Sequence, residues 1–144
     1  MKPSLLDILK EKEEEIYTVT PEVTVIEAAA VMKKNHGAAA VIEEGKLAGV
    51  CTERDILNKV ILGGLSLEKT TVGDIMTRKV IYAAPDFTPA KCLDIMSENN
   101  IRHLPVVEDE KVLGMVSIFD MVKRIISDQK AIISHLTEYI ELSY

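Results

Sequence analysis

The sequence predicts an α/β protein: two pseudo-symmetric β-α-β-β-α repeats packed sheet to sheet, with a short N-terminal helix and a long C-terminal helix. Three observations favour this fold. Residues 21–24 (PEVT) recur as residues 85–88 (PDFT), at an offset of 64. Residues 49–55 (GVCTERD) recur in pattern as residues 114–120 (GMVSIFD), at an offset of 65. Both copies carry the same order of strand, helix and hairpin signals, and a unit of about 60 residues needs a shared core to be stable.

The first repeat has a local signal for each of its elements. Thr24 and Glu27 form a capping box at the start of a helix, and the apolar run at residues 38–42 is typical of a buried strand. Residues 44–45 (EG) make a hairpin turn, and residues 63–64 (GG) end the last helix. The predicted elements are a strand at 16–19, a helix from Thr24 to residue 35, strands at 38–42 and 46–51, and a helix from Thr52 to residue 62.

The second repeat follows the same order. Thr88 caps a helix whose first residue is Pro89, where the missing N–H of proline costs nothing. Pro105 lies in a predicted strand, and there a proline is tolerated only near a sheet edge or a bulge. The predicted elements are a strand at 80–83, a helix from Thr88 to residue 99, strands at 103–107 and 111–116, and a helix capped by Ser117.

Three further segments lie outside these elements. Ser4 and Asp7 begin a short helix that ends in a charged run at residues 10–15, which we expect to be solvated. Residues 71–76 form a cap and one helical turn between the halves. Near the C-terminus, apolar residues recur at helical spacing over about 22 residues, which is longer than one repeat requires.

The chain thus divides into residues 1–70, the first repeat with the N-terminal helix, and residues 71–144, the second repeat with the C-terminal helix. One two-repeat core cannot cover both terminal apolar stripes, so the sequence predicts a homodimer. The residues concerned are Leu5, Leu6, Ile8, Leu9, Met121, Val122, Ile125, Ile126, Ile132, Ile133, Leu136 and Ile140.

Composition excludes several classes of protein. The 144 residues are 47% hydrophobic and 28% charged, which is typical of a globular chain and not of a disordered one. The net charge of −6 argues against binding to nucleic acid or to an anionic membrane by bulk electrostatics. Cys51 and Cys92 have no partner at metal-ligand spacing, so we expect no metal site and two buried thiols. With no apolar leader and no apolar run of membrane-spanning length, we expect a cytoplasmic protein.

Three motifs carry a family resemblance. Residues 72–77 (VGDIMT), residues 101–107 (IRHLPVV) and the doubled Gly-x-x-Thr/Ser-x-x-Asp resemble a cystathionine-β-synthase (CBS) domain pair, or Bateman module, of the stand-alone prokaryotic type. The resemblance covers residues 5–142. It implies a regulatory, ligand-sensing module for adenosyl compounds such as AMP, ATP, S-adenosylmethionine or NAD. Such modules bind the ligand between the repeats, act on a separate partner and dimerise as a flat disc.

The strongest candidate ligands of such a compound are two hydroxyl–carboxylate pairs, Thr52 with Asp55 and Ser117 with Asp120. Both pairs also fit an ordinary helix N-cap with an acidic third residue, which needs no ligand. In the functional interpretation the carboxylate accepts hydrogen bonds from the ribose hydroxyls and the Thr or Ser contacts ribose or phosphate. Glycines three residues before each hydroxyl then let the ligand approach the strand. The two interpretations are compatible.

Arg102 and His103 are the candidate phosphate contacts, because the family commonly places basic side chains there. The aligned residues of the first repeat, 37–38 (GA), carry no charge. A phosphate bound at the first repeat would therefore need a positive charge from Arg54 or from the other half. We therefore expect the main site to combine Arg102 and His103 with Ser117 and Asp120. His36 and His135 have no partner at ligand spacing and are interpreted as structural.

The resemblance also implies an adenine pocket near the first strand of each repeat, formed by Thr18, Val19, Ala38, Tyr82 and Ala83. Plain strand packing is the alternative for all five residues, and the methionines are interpreted as core. No catalytic motif is present: there is no phosphate loop, no Gly-x-Ser-x-Gly and no His-Glu-x-x-His. Three functions remain, in order of decreasing support from the sequence. They are an adenosyl-binding regulator with no cofactor of its own, a dimerisation scaffold with degenerate sites, and a nucleotide-processing enzyme.

Overall fold

The computed structural model describes residues 4–12 and 17–143, with side chains as far as residue 136. Its elements follow the predicted order, and the third helix begins as an α-helix and continues as a π-helix over Ile56–Ile61. The elements are α1 (Leu5–Glu11), β1 (Thr18–Val19), α2 (Val25–Lys33), β2 (Ala38–Glu43), β3 (Lys46–Thr52), α3 (Glu53–Asp55 and its π-helical continuation), α4 (Val72–Ile75), α5 (Pro89–Asn99), β4 (His103–Glu108), β5 (Lys111–Ser117) and α6 (Ile118–Ser143).

The two repeats have hairpins of matching register. β2 pairs with β3 and β4 pairs with β5 in antiparallel fashion, and each ladder has one irregularity, between Val41 and Ile42 and at the equivalent point of the second hairpin. The turns at residues 44–45 and 109–110 have positive φ at both positions, as a two-residue hairpin of this twist requires. The α/β prediction with short and long terminal helices is confirmed.

The first strand differs between the repeats. β1 runs parallel to β2, and the Ala40 N–H donates to the Tyr17 carbonyl at 2.8 Å. The equivalent of Ala40 is Pro105, which has no N–H to donate. The predicted strand at 80–83 is therefore reduced to a single parallel bridge between Ala83 and Val106. That part of the expectation was wrong, while residue 16 of the first predicted strand lies outside the described residues.

The short helix that precedes each repeat packs against the other repeat. Leu5 and Ile8 of α1 lie in the core of the second repeat, and the Leu5 N–H donates to the Phe87 carbonyl at 3.1 Å. Val72 and Ile75 of α4 lie in the core of the first repeat. Each leading helix thus completes the hydrophobic core of the other repeat, across the division drawn from the sequence at residue 70.

A third cluster of buried residues joins the two sheets. It contains Ala38 and Ala40 of β2 and Met115 of β5, all at most 5% exposed. Because alanines have small side chains, the two sheets approach closely here. The packing of sheet against sheet places the end of β3 and the start of β4 on the same side of the molecule, where the candidate site lies.

Candidate functional site

A cavity of about 260 Å³ lies between the two repeats. The first repeat contributes the end of β3 and the start of α3. The second repeat contributes the segment after α4 and the start of β4. The cavity is lined by His36, Gly37, Val50, Thr52, Glu53, Arg54, Asp55, Thr77, Lys79, Val80, Ile81, Asn100, Ile101, Arg102, His103 and Pro105.

Thr52 and Asp55 form the N-cap of α3 and line the cavity. The Thr52 N–H and hydroxyl both donate to Asp55 Oδ2, at 3.0 and 3.2 Å. The Asp55 N–H lies 3.3 Å from Thr52 Oγ1, which completes the capping box. The pair therefore has the structural role that its spacing predicts, and the same spacing brings both side chains to the cavity wall.

The second oxygen of Asp55 has two other partners, one of them on the same helix. The Thr77 hydroxyl, after α4, donates to Asp55 Oδ1 at 3.1 Å, and Lys59 Nζ lies 3.0 Å from the same oxygen. The residue is only 7% exposed. A carboxylate has about four acceptor positions, and four donors now surround this one. A ribose hydroxyl that bonds to Asp55 must therefore replace one of them.

Three cationic side chains line the cavity: Arg54 from the first repeat, and Lys79 and Arg102 from the second. Arg54 Nη1 donates to the carbonyl of Asn100 at 2.6 Å, which ties α3 to the loop before β4. Glu53 also lines the cavity, so its wall carries charges of both signs. In a chain of net charge −6, this is a local concentration of positive charge.

The structure places the expected phosphate residues at the hydroxyl–carboxylate pair of the first repeat. Arg102 and His103 line the cavity that contains Thr52 and Asp55, while His103 also pairs with Ser117 across the β4–β5 ladder. The reason is that the start of β4 bonds across to the first repeat: His103 Nε2 lies 2.9 Å from the carbonyl oxygen of His36. A residue's position in the repeat therefore does not tell which repeat supplies its neighbours.

His103 is also less basic than its sequence context suggests. A carbonyl oxygen only accepts, so the Nε2 atom beside His36 carries the hydrogen and Nδ1 is the acceptor of the neutral ring. Burial lowers the pKa of His103, and this outweighs the opposing effect of the bond to His36. His103 therefore contributes hydrogen bonding to the cavity wall, and Arg54, Lys79 and Arg102 contribute the charge.

Ser117 and Asp120 form the equivalent cap outside this cavity. The Ser117 N–H donates to Asp120 Oδ2 at 2.8 Å, and the Asp120 N–H donates to the Ser117 hydroxyl at 3.1 Å. Lys12 of the first repeat lies 3.0 Å from the same carboxylate oxygen. The structure therefore does not bring the two hydroxyl–carboxylate pairs into one site.

The glycines before each pair serve the protein's own packing. A Cβ at Gly49 would lie 2.7 Å from the carbonyl oxygen of Thr77, and one at Gly114 would lie 2.5 Å from Leu9 Cδ2. The Thr77 oxygen belongs to the main chain and leaves no room for a side chain at Gly49, whereas a side chain at Gly114 would require the Leu9 side chain to move. The glycines admit the segments around the leading helices, and not a ligand as the sequence suggested.

None of the five predicted adenine residues lines the cavity. Val19, Ala38 and Ala83 are buried in the hydrophobic clusters, and Thr18 is exposed. Tyr82 is 57% exposed and lines a separate, more open cavity of about 400 Å³ beside the hairpin turns. The apolar wall is instead formed by residues such as Val50, Val80, Ile81, Ile101 and Pro105.

Several cavity residues escaped the sequence analysis. His36 was interpreted as structural, yet it lines the cavity, and its ring lies 4.9 Å from that of Phe119. Its φ of 57° at the end of α2, before Gly37, is the left-handed helix ending that a His-Gly pair can indicate. Thr77 closes the VGDIMT motif, which was recognised as a family signature without a role for its last residue. Lys79 and Ile81 carry no such signal.

Two cysteines lie in the described part of the chain. Cys51 and Cys92 are buried free thiols, and burial raises their pKa to about 12 and about 11. Within residues 4–12 and 17–143, no three His, Cys, Asp or Glu side chains are grouped as metal ligands. In that same part of the chain, no helix combines the length and apolar character that crossing a membrane requires.

A family model, a sequence relative and a solved structure all match this chain to CBS domain proteins. The CBS domain family model matches twice, at residues 7–62 and 72–127. The chain is 39% identical over 131 residues to the CBS domain-containing protein CBSX3, mitochondrial, of Arabidopsis thaliana. The match covers 87% of this chain and 64% of that relative, so the chain spans less than two thirds of the relative's length. A CBS-domain protein of Burkholderia ambifaria MC40-6 superposes with a TM-score of 0.81 at 40% identity, covering 88% of this chain and 96% of the other.

A third similar protein was solved with ligands. The CBS domain pair of protein MJ0100, in complex with 5′-methylthioadenosine and S-adenosyl-L-methionine, superposes with a TM-score of 0.74 at 30% identity. The match covers 90% of this chain and 99% of that one.

Proposed function

Since this chain belongs to the CBS domain family and consists of a CBS domain pair, we propose that it is a regulatory module that binds an adenosyl compound between its repeats and acts on a separate protein. One observation carries the proposal. The cavity combines the Thr52–Asp55 pair of the first repeat with the cations Lys79 and Arg102 of the second. A ligand bound there contacts both halves, so its binding can change how they pack together.

The polar wall fits a ribose phosphate. The Thr52 hydroxyl can turn from Asp55 to a ribose hydroxyl, and a ribose hydroxyl can replace Thr77 as a donor to the carboxylate. A 5′-phosphate then lies among Arg54, Lys79 and Arg102, where it forms charge-assisted hydrogen bonds. We therefore propose AMP as the simplest ligand that uses every part of this wall.

The apolar wall fits the base. In the first repeat the Tyr17 carbonyl is bonded to the Ala40 N–H, whereas Pro105 has no N–H to offer the equivalent Ile81 carbonyl. Ile81 and Pro105 both line the cavity. We propose that the Ile81 carbonyl accepts the exocyclic amino group of adenine. The adenosyl ligands of the MJ0100 domain pair support this choice of base.

Titration calorimetry tests the proposal. We expect AMP to bind more tightly than adenosine, and AMP more tightly than IMP, which has a carbonyl in place of the amino group. Arg102→Ala should reduce AMP affinity about tenfold or more and affect adenosine little, since one charged hydrogen bond contributes about 1.5–3 kcal/mol. Arg78→Ala, an exposed arginine outside this cavity, is the control. The absence of saturable binding by AMP, ATP, NAD, 5′-methylthioadenosine and S-adenosylmethionine would overturn the proposal.

A scaffold function is the second candidate, favoured by the four donors that already surround Asp55. In that case the cap is complete without a ligand, and none of the adenosyl compounds would raise the melting temperature. For the regulator we expect stabilisation of about 2.7 kcal/mol at a ligand concentration of 100 Kd. We also propose that the protein acts without turnover, so that bound AMP is recovered unchanged after long incubation.

We propose that the protein works as a homodimer in the cytoplasm. Apolar side chains along α6 are half or more exposed, among them Ile132 at 58% and Leu136 at 57%. Leu57 and Ile61 of the π-helical segment, and Leu62 directly after it, are also half or more exposed. Self-association of two copies would cover these surfaces. Two buried free thiols are compatible with a reducing compartment.

A further inference from the structure

The two equivalent carboxylates of the repeats take their cations from different places. Asp55 is paired with Lys59, which lies one turn later on the same helix, at 3.0 Å. The residue one turn after Asp120 is Arg124, but its Nη1 lies 2.9 Å from Glu11 Oε1 at the end of α1. Arg124 is therefore directed to the leading helix, and the neutralising charge on Asp120 comes from elsewhere.

Lys12, directly after α1, supplies that charge. Its Nζ lies 3.0 Å from Asp120 Oδ2 and 3.0 Å from the carbonyl oxygen of Met115 in β5. The side chains are 21% and 11% exposed, so the ion pair is largely shielded from water. Removing one partner of such a pair leaves an uncompensated, partly buried charge. A ligand that binds Asp120 must therefore displace this ammonium group from the carboxylate.

Lys12 and Lys59 reach their carboxylates from different parts of the fold. The ammonium of Lys59 also donates to the carbonyl of Ile75 in α4, at 2.7 Å, and Asp55 still lines the cavity. At Asp120 the ammonium arrives on a segment from outside the second repeat. The residues of the first repeat equivalent to Arg102 and His103 are Gly37 and Ala38, both buried, so these two positions offer no charge to a phosphate beside Asp120.

Resting on the proposed function, we infer that each chain holds one nucleotide, at Thr52 and Asp55, and that the ammonium of Lys12 takes the place of a second ligand at Ser117 and Asp120. Lys12 thus determines the stoichiometry of binding. The two repeats keep the same hydroxyl–carboxylate pair, but one pair faces a cavity and the other is closed by the chain's own cation.

Calorimetric titration of the full chain with AMP measures this stoichiometry. We expect one AMP per chain in the unmodified protein, lost in Asp55→Asn and retained in Asp120→Asn. Lys12→Met removes the ammonium and keeps the apolar stem, and we expect it to bind a second AMP. That second AMP should be lost again in the Lys12→Met, Asp120→Asn double variant. Lys10→Met, an exposed lysine of the same segment, is the matched control and should bind one AMP.

Each other result decides the question. Two AMP per chain in the unmodified protein, one of them lost in Asp120→Asn, would overturn the inference and leave the proposed function standing. If Lys12→Met does not fold, Lys12→Gln is the second variant, and one AMP per chain in the folded variant would also overturn it. If the unmodified protein binds none of the adenosyl compounds, the proposed function is wrong. In that case the inference about Lys12 is supported if Lys12→Met binds AMP and the added Asp120→Asn removes this binding. It is overturned if Lys12→Met binds no AMP.

Discussion

His103 Nε2 lies 2.9 Å from the main-chain carbonyl oxygen of His36, so a hydrogen bond fastens the start of β4 in one repeat to the end of α2 in the other. The bond crosses the pseudo-symmetric interface at the wall of the candidate site. It fixes which ring nitrogen carries the hydrogen, and it holds the ring where burial disfavours its charged form.

The first prediction concerns acid stability. Because burial lowers the pKa of His103 from its usual 6.5, the unfolded chain binds this proton more readily than the folded one. The stabilising effect is complete above that usual value and declines as the pH falls below it. We expect the unfolding midpoint of the unmodified protein to fall more between pH 7 and pH 5 than that of His103→Gln. Equal slopes in the two proteins would contradict this, and His135→Gln, on the exposed face of α6, is the control.

The second prediction concerns the hydrogen bond between Thr77 and Asp55. Thr77→Val keeps the shape of the side chain and removes the hydroxyl that donates to Asp55 Oδ1. We expect a loss of about 1 kcal/mol in the free energy of unfolding, since Thr77 is exposed and water can replace part of the bond. Urea unfolding of Thr77→Val, Asp55→Asn and the double variant measures the coupling. If the losses in unfolding free energy of the two single variants simply add in the double variant, the Thr77 hydroxyl does not stabilise the Asp55 carboxylate. Thr20→Val, at an exposed position, is the control.

The third prediction concerns the missing strand of the second repeat. Pro105→Ala restores an N–H opposite the Ile81 carbonyl, at the position where Ala40 bonds to Tyr17. Because a buried N–H without a partner costs about 1–3 kcal/mol, we expect the new amide to take that carbonyl. Hydrogen exchange should then show protection of the residue 105 amide similar to that of Ala40. Fast exchange in a folded variant would contradict the explanation for the shortened strand.

The same substitution tests the base contact. If the Ile81 carbonyl accepts the amino group of adenine, Pro105→Ala should reduce the preference for AMP over IMP several-fold, because the new amide competes for the acceptor. An unchanged preference would show that another group reads the base. Pro89→Ala, at the first position of α5, is the matched proline control.

The fourth prediction concerns assembly. Ile132→Asp places a charge on a side chain that is 58% exposed in one chain. If α6 meets a second copy, the buried carboxylate destabilises the interface by several kcal/mol, and the dimer should dissociate. Light scattering at micromolar concentration should give a dimer for the unmodified protein and a monomer for the variant. Gln129→Asp carries the same new charge on an exposed position of α6, and a monomeric mass in the unmodified protein would refute the prediction.

The amino-acid sequence alone determined most elements of this protein and their order, except the strand predicted at residues 80–83. Capping residues such as Thr24, Thr52 and Thr88 act on the N–H groups three residues ahead, so their effect does not depend on the rest of the fold. The residue 44–45 turn and the Gly63–Gly64 ending depend in the same way on local backbone preference. These are the features that were predicted at nearly the right residues.

The tertiary structure decided which of these elements meet. Arg102 and His103 lie in the second repeat, yet they line a cavity with Thr52 and Asp55 of the first. α1 precedes the first repeat and completes the core of the second, which brings Lys12 to Asp120. The crossing follows from sheet-to-sheet packing, because two pseudo-symmetric halves share one interface and each covers the open side of the other. Contacts of this kind join residues far apart in the chain, and no local pattern records them.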